Sequence, residues 1–116
     1  MKGGVDISVQ IQSGDELLRA LSALSNPHRL RIIGALAEGR NYVSELAREL
    51  GISRPLLHMH LKKLEAAGLV TGSLELSDDG KAMRYFEPTD FDITLTPASI
   101  AGLARTLSKS VSQEGT

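Results

Sequence analysis

Polar and apolar positions change rhythm several times along the chain. Residues 5–11 alternate, with Val5, Ile7, Val9 and Ile11 apolar and Asp6, Ser8 and Gln10 between them. That is the period of a strand with one buried face. Ser13-Gly14-Asp15-Glu16 then has the form of a capping box, Ser13 as N-cap and Glu16 three residues on. It predicts a helix over 14–24, with Leu17, Leu18, Leu21 and Leu24 on one side. Asn26-Pro27 opens a second helix by the cap-then-proline rule. This helix runs to about residue 38, with Leu30, Ile33, Leu36 and Ala37 facing inward and Gly39 ending it.

In residues 43–50 the apolar positions Val43, Leu46, Ala47 and Leu50 recur at helical spacing. Gly51 can take the left-handed conformation of a tight turn, with Ile52 plugging the gap beneath it. Ser53 is a good N-cap for a helix over 53–67, whose inner stripe is Leu57, Leu61 and Leu64. Two short amphipathic helices joined at a glycine give a helix-turn-helix, whose second helix can enter a DNA major groove. Residues 69–77 and 81–88 are strand-like around Asp78-Asp79-Gly80, a hairpin signal, and a hairpin placed there is a wing. Phe91, Ile93 and Leu95 alternate as a short strand. Thr96-Pro97 opens a last helix over 97–109, with Ile100, Leu103, Ala104 and Leu107 on one face.

The expected fold class is therefore mainly α with a small β component. It is a winged helix-turn-helix of about five helices and a two-stranded wing, with extra strands near 5–11 and 91–95. Those two strands are expected to pair with each other, within a subunit or across a dimer, because each needs a backbone partner. The chain divides into an N-terminal strand or arm (1–12), a DNA-binding domain (13–88), a strand and dimerisation helix (89–109) and a disordered tail (110–116).

Composition narrows the function. At 116 residues the chain makes one domain, and it has no Cys, which excludes disulfides, thiolate metal sites and a Cys nucleophile. No apolar run approaches the roughly 20 residues of a membrane span. No apolar signal core follows Met1-Lys2-Gly3-Gly4, so a cytoplasmic protein is expected. The net charge of −1 looks wrong for a DNA binder, but the charge is segregated. Residues 27–63 hold seven basic and three acidic groups, whereas residues 64–116 hold four basic and eight acidic. Such a split can orient a protein on a polyanion without net attraction. No Gly-rich loop follows a strand and no His has a nucleophile partner in a known motif, so an enzyme is not expected.

Three segments carry a family resemblance. They are Leu24-Ser25-Asn26-Pro27-His28-Arg29-Leu30-Arg31-Ile32-Ile33, then Ser44-Glu45-Leu46-Ala47 with Gly51-Ile52-Ser53-Arg54-Pro55, and then His60-Leu61-Lys62-Lys63-Leu64-Glu65-Ala66-Ala67-Gly68-Leu69-Val70. In this order they resemble the ArsR/SmtB-type winged-helix repressors, over about residues 15–88. The resemblance implies a homodimeric, ligand-responsive transcriptional repressor in a bacterial or archaeal cytoplasm. It also implies that His60 is a half-buried packing residue. The metal-sensing members place Cys pairs on the third helix or Asp/His/Glu sets on the last. Residues 41–50 here have no Cys or His, and residues 97–109 have no His, Asp or Glu. No metal site and no cofactor are expected, and any small-molecule or protein effector is left open. His58 and His60 diverge by about 200° on a helix and cannot clamp one ion together.

The expected DNA-binding set is Arg31, Ser53, Arg54, Leu56, His58, Met59, Lys62, Lys63, Lys81 and Arg84. Arg54 sits at the N-terminal end of the second helix, where side chains reach base edges or phosphates first. Leu56 is apolar where the resembled family often has a small polar residue; it meets a thymine methyl or packs beside Leu57. His58 and Met59 face outward with it. Arg31, Lys62, Lys63, Lys81 and Arg84 suit phosphates, Lys62 and Lys63 being equally compatible with a solvated face. Asp78 and Asp79 should hold the wing tip off the groove. The first and last helices carry apolar stripes beyond what the small core needs, and the resemblance implies that they build the dimer, with Leu17, Leu18, Leu21, Ile100, Leu103 and Leu107 as the expected dimerisation residues. The alternative function is a winged helix used as a protein-interaction module without sequence reading.

Overall fold

The computed structural model describes residues 9–109; the expected strand residues 5–8 and the tail 110–116 lie outside them. Among the described residues five helices and two small sheets run in the order β1 (Val9–Gln10), α1 (Gly14–Leu24), α2 (Pro27–Ala37), β2 (Asn41–Tyr42), α3 (Val43–Leu50), α4 (Arg54–Ala66), β3 (Val70–Leu76), β4 (Ala82–Pro88), β5 (Phe91–Asp92) and α5 (Pro97–Ala104), the predicted order with β2 added. The helix starts are set by side chains that take orphan backbone donors. Ser13, Asn26, Ser53 and Thr96 each accept from the first turn that follows them. The capping box at Ser13 is shifted by one residue. Glu16 accepts from the Gln12 N–H, not from that of Ser13.

The core is built from Ile32, Leu36, Leu46, Leu57, Leu61, Leu64 and Leu69, all essentially inaccessible. Phe86 of β4 and Val70 of β3 close it from the sheet side. Leu30 does not join it and is 56% exposed. Ile32 and Leu36 form the inner stripe of α2, and Leu30 lies two residues from Ile32, about 200° around the helix.

The wing gains a third strand. β2 pairs antiparallel with β4 (Asn41 opposite Phe86, Tyr42 opposite Tyr85), so β4 is central and β3 lies on its other side. A two-residue strand carries no periodicity to read, which is why it escaped the sequence. At the hairpin, Gly80 has φ +84°, the left-handed position that closes a three-residue loop between Ser77 and Lys81. β1 and β5 pair in parallel within the chain, Val9 opposite Phe91. β5 ends at Asp92, short of the expected 95.

α5 packs on the start of α1. The Gly14 N–H donates to the Thr106 hydroxyl at 2.7 Å, and the Ser108 N–H donates to Asp15 at 3.1 Å. α5 stops at Ala104, not near 109. Thr106 turns its hydroxyl onto the Leu103 carbonyl, a local bond that competes with helix continuation. Leu17 is buried within the protomer, while Leu18 and Ile100 are each 45% exposed and Leu21, Leu103 and Leu107 are half-buried.

A Cβ on Gly14 would stand 2.6 Å from the Leu103 carbonyl oxygen and 2.7 Å from Leu107. Gly14→Ala should therefore destabilise the protein by about 1–3 kcal/mol. Gly34→Ala on α2, where nothing lies within 4 Å of the new methyl, should stabilise it by up to about 1 kcal/mol through helix propensity. Thermal unfolding of the two variants checks the pair: shifts of the same sign would contradict the close packing of α1 on α5.

Candidate nucleic-acid interface

α3 and α4 meet through Gly51, whose φ of +69° a side chain would strain. The Ile52 N–H returns to the Ala47 carbonyl, and Ala47, small and buried, lets α4 cross closely. α4 then buries Leu57, His60, Leu61 and Leu64 and leaves Ser53, Arg54, His58, Met59, Lys62 and Lys63 exposed. Leu56 is half-buried, between its two expected roles.

On the wing side, Arg54 and His58 share a cleft of about 280 Å³ with Tyr42, Ser44, Met83 and Arg84. Residues of the reading helix, the start of α3 and β4 therefore converge. Tyr42 and Ser44 were not singled out in the sequence; the only signal was their place at the first turn of the first helix of the pair. A neighbouring cleft of about 310 Å³ joins His58 and Lys62 to Glu65, Arg84 and Phe86. Arg84 is not free: its guanidinium bonds Glu65 at 3.2 Å and lies over the Phe86 ring at 5.3 Å. Lys81 is exposed at the wing tip. Asp79 accepts from the Ser77 hydroxyl and from backbone N–H groups, which hold its carboxyl below the usual range and fix the turn.

The expected residues do not all gather. Lys63 lines a separate cleft with Arg19 and Arg29, on the opposite flank of α4. Arg31 is exposed on α2 and lines none of these three clefts. Among the described residues no group of three or more His, Asp or Glu side chains is placed to hold a metal ion.

His60 is more deeply buried than a half-buried packing residue, at 3% exposed. Its Nδ1 lies 3.1 Å from an Arg29 terminal nitrogen. An arginine is always a donor, so Nδ1 accepts and the ring proton sits on Nε2. That Nε2 is buried without a partner. The same Arg29 donates through Nε to the Ala23 carbonyl at the end of α1. Burial pushes the His60 pKa below its ordinary 6.5, and repulsion from Arg29, His28 and Lys63 adds to the shift. The His28 ring lies 5.2 Å away, centroid to centroid.

The family model described as bacterial regulatory protein, arsR family, matches residues 26–71. The chain is 38% identical over 76 residues to MJ0229 of Methanocaldococcus jannaschii, an uncharacterised HTH-type transcriptional regulator, covering 66% of this chain and 79% of that protein. It is 45% identical over 62 residues to the HTH-type transcriptional repressor SmtB of Mycobacterium tuberculosis, covering 53% of this chain but only 44% of SmtB. In three dimensions it is similar to the homodimeric winged helix-turn-helix DNA-binding domain of Mb0332 from Mycobacterium bovis, a possible ArsR-family transcriptional regulator. That match has a TM-score of 0.58 at 26% identity, over 87% of this chain and 82% of that one.

The His60 shift fixes the direction of a pH dependence. The unfolded ring titrates near 6.5, above the native value, so on acidification the unfolded state takes up the proton first. Stability from neutral His60 is complete above about pH 6.5 and is lost as pH falls toward the lowered native pKa. Urea midpoints should fall between about pH 7 and about pH 5.5, and fall less in His60→Gln, which keeps an acceptor for Arg29 but does not titrate. Equal pH slopes in the two proteins would remove His60 as the cause.

Proposed function

Because the chain belongs to the arsR family of bacterial regulatory proteins and is a winged helix-turn-helix transcription regulator, we propose that it acts in the cytoplasm as a homodimeric repressor of a palindromic duplex site. The convergence of Arg54 and His58 on α4 with Arg84 on the wing, in one cleft, is the observation that carries this reading. Arg54, at the N-terminal end of α4, reaches a base edge, a bidentate guanine contact being the commonest such pairing. His58 and Met59 extend that surface, with Leu56 at its margin. Lys62, Lys81 and Arg84 take phosphates and give the complex its salt dependence. Arg31 and Lys63 lie on other faces and belong to the phosphate set only if DNA wraps beyond α4.

Two reading heads must be held about 34 Å apart to enter successive major grooves. Leu18, Leu21, Ile100, Leu103 and Leu107 supply the holding surface, because no residue of α5 is buried within one protomer. Leu17, already buried in its own protomer, contributes support from beneath. The homodimeric state of Mb0332 supports this assembly. A second reading, a winged helix that binds protein without reading sequence, draws on Leu74 and Leu76, which are 73% and 76% exposed on β3.

Selection of bound duplexes from a random pool tests the main reading and yields the site. Affinity that does not fall with salt, or no recovered site, would favour the protein-binding module. Arg54→Ala should cost about 1–3 kcal/mol and relax choice at one base position; uniform weakening over all sequences would make Arg54 a phosphate contact. Glu65→Gln should free Arg84, raising duplex affinity and steepening the log–log salt slope by about one unit. An unchanged slope would mean that Arg84 stays on α4 when DNA binds.

A further inference from the structure

On the flank of α4 away from the wing, three helices turn cations into one open cleft of about 230 Å³. Arg19 comes from α1, Arg29 from α2 and Lys63 from α4, with Ser22, Ala23 and Ala66 completing the lining. No carboxylate is among the lining residues. The acids on the same helices are engaged elsewhere. Asp15 accepts from the Ser108 N–H, Glu16 from the Gln12 N–H, and Glu65 pairs with Arg84. α2 contains no acid at all. Like charges drawn together without a counter-ion repel one another unless an anion joins them.

Arg29 gives the cleft a fixed element. It is half-buried, with Nε held by the Ala23 carbonyl and one terminal nitrogen by His60. Its remaining guanidinium edge is pre-oriented, so an incoming oxyanion meets a donor whose rotamer is already chosen. Arg19 and Lys63 are exposed and can close on the ligand from either side. Ser22 adds a hydroxyl donor at the rim.

We propose that this cleft is a binding site for a phosphate-type oxyanion, held jointly by Arg19, Arg29 and Lys63. It does not depend on the DNA-reading assignment. The anion bridges α1, α2 and the C-terminal half of the reading helix, so its binding bears on how α4 is held against α1. The local field agrees. Arg29, His28 and Lys63 all push the neighbouring His60 away from its charged form, and no acid opposes them. The ligand is either a free phosphorylated or inorganic oxyanion, or a backbone phosphate of bound duplex. The chemistry is the same, and experiment separates the sources.

The test is a titration of the full chain with inorganic phosphate at constant ionic strength, followed by NMR at the backbone amides and the His60 ring. Saturable shifts are expected at Arg19, Arg29 and Lys63, with the His60 pKa rising toward its ordinary value as the cations are neutralised. Arg19→Gln and Lys63→Gln should each weaken binding several-fold, while Arg105→Gln leaves it unchanged. Arg29 is spared because it also holds α1 and α4 together. If duplex DNA is the source, adding duplex shifts the same amides, phosphate competes with it there, and each Gln variant lowers the salt slope by about one unit. If the source is a free oxyanion, phosphate still saturates the cleft with duplex bound and the slope is unchanged. No saturable shift with phosphate or duplex, or equal shifts in all variants, would overturn the proposal.

Discussion

Arg29 ties three helices together, and the placement of the reading helix depends on it. Its backbone N–H, in the first turn of α2, donates to Asn26. Its Nε donates to the last turn of α1 and its terminal nitrogen to His60 on α4. Because guanidinium is a permanent donor, it dictates the histidine tautomer and penalises any second positive charge on that ring. The cost is an unpartnered buried N–H at His60 Nε2, a penalty of about 1–3 kcal/mol. A Leu or Phe at position 60 would avoid that penalty but take from Arg29 its link to α4, leaving only the Ala23 carbonyl on its guanidinium. The histidine therefore serves the arginine, and the arginine fixes where α4 lies against α1.

How the charges pair decides which of them are available to a polyanion. The basic excess in residues 27–63 is legible in the sequence, but the pairing is not. Arg40 binds Glu75 across the sheet and lies 4.4 Å over the Tyr85 ring. Arg48 is matched by Glu45 one turn away. Arg84 is held by Glu65, while Arg54, His58 and Lys62 stay on the open face of α4. Exposed pairs of this kind contribute little to stability. Their larger effect is to leave the unpaired cations to set where a polyanion settles. One set lies beside the wing and the other between α1, α2 and α4.

Much of this architecture is legible in the residue pattern. The helix-turn-helix is legible because two signals coincide there: Gly51 between two amphipathic runs, and Ser53 as the N-cap of the second. The helix 43–50 and the inner stripe Leu57, Leu61 and Leu64 appear as read. Leu30 falls outside the core; α2 is apolar at positions 30, 32, 33 and 36, so periodicity allows more than one rotation of the helix. β2 was missed because two residues have no period. Arg29–His60 was missed because its partners are 31 positions apart, and nothing in a single sequence reports a long-range hydrogen bond. Of the site, the residue types on α4 were legible. Their division between two flanks was not, since it depends on which neighbour each flank meets.

The ends of the chain supply the remaining constraint. No residue of α5 is fully buried within one protomer, yet the helix is anchored: Thr96 and Ser99 cap each other, and Gly14 admits the Leu103 carbonyl against α1. A helix of eight residues is not stable alone in water, so its order comes from that contact and from whatever covers Ile100, Leu103 and Leu107. Under the dimeric reading the cover is a second copy, and the path from dimer to DNA is short. α5 sits on the first turn of α1, α1 ends at the carbonyl that Arg29 grips, and Arg29 holds α4. Ala20 and Ala23 of α1 also pack in the same core as Leu57, Leu61 and Leu64 of α4, which couples the two helices directly. The cationic cleft lies on that path, where a bound anion would stiffen the joint between α1 and α4.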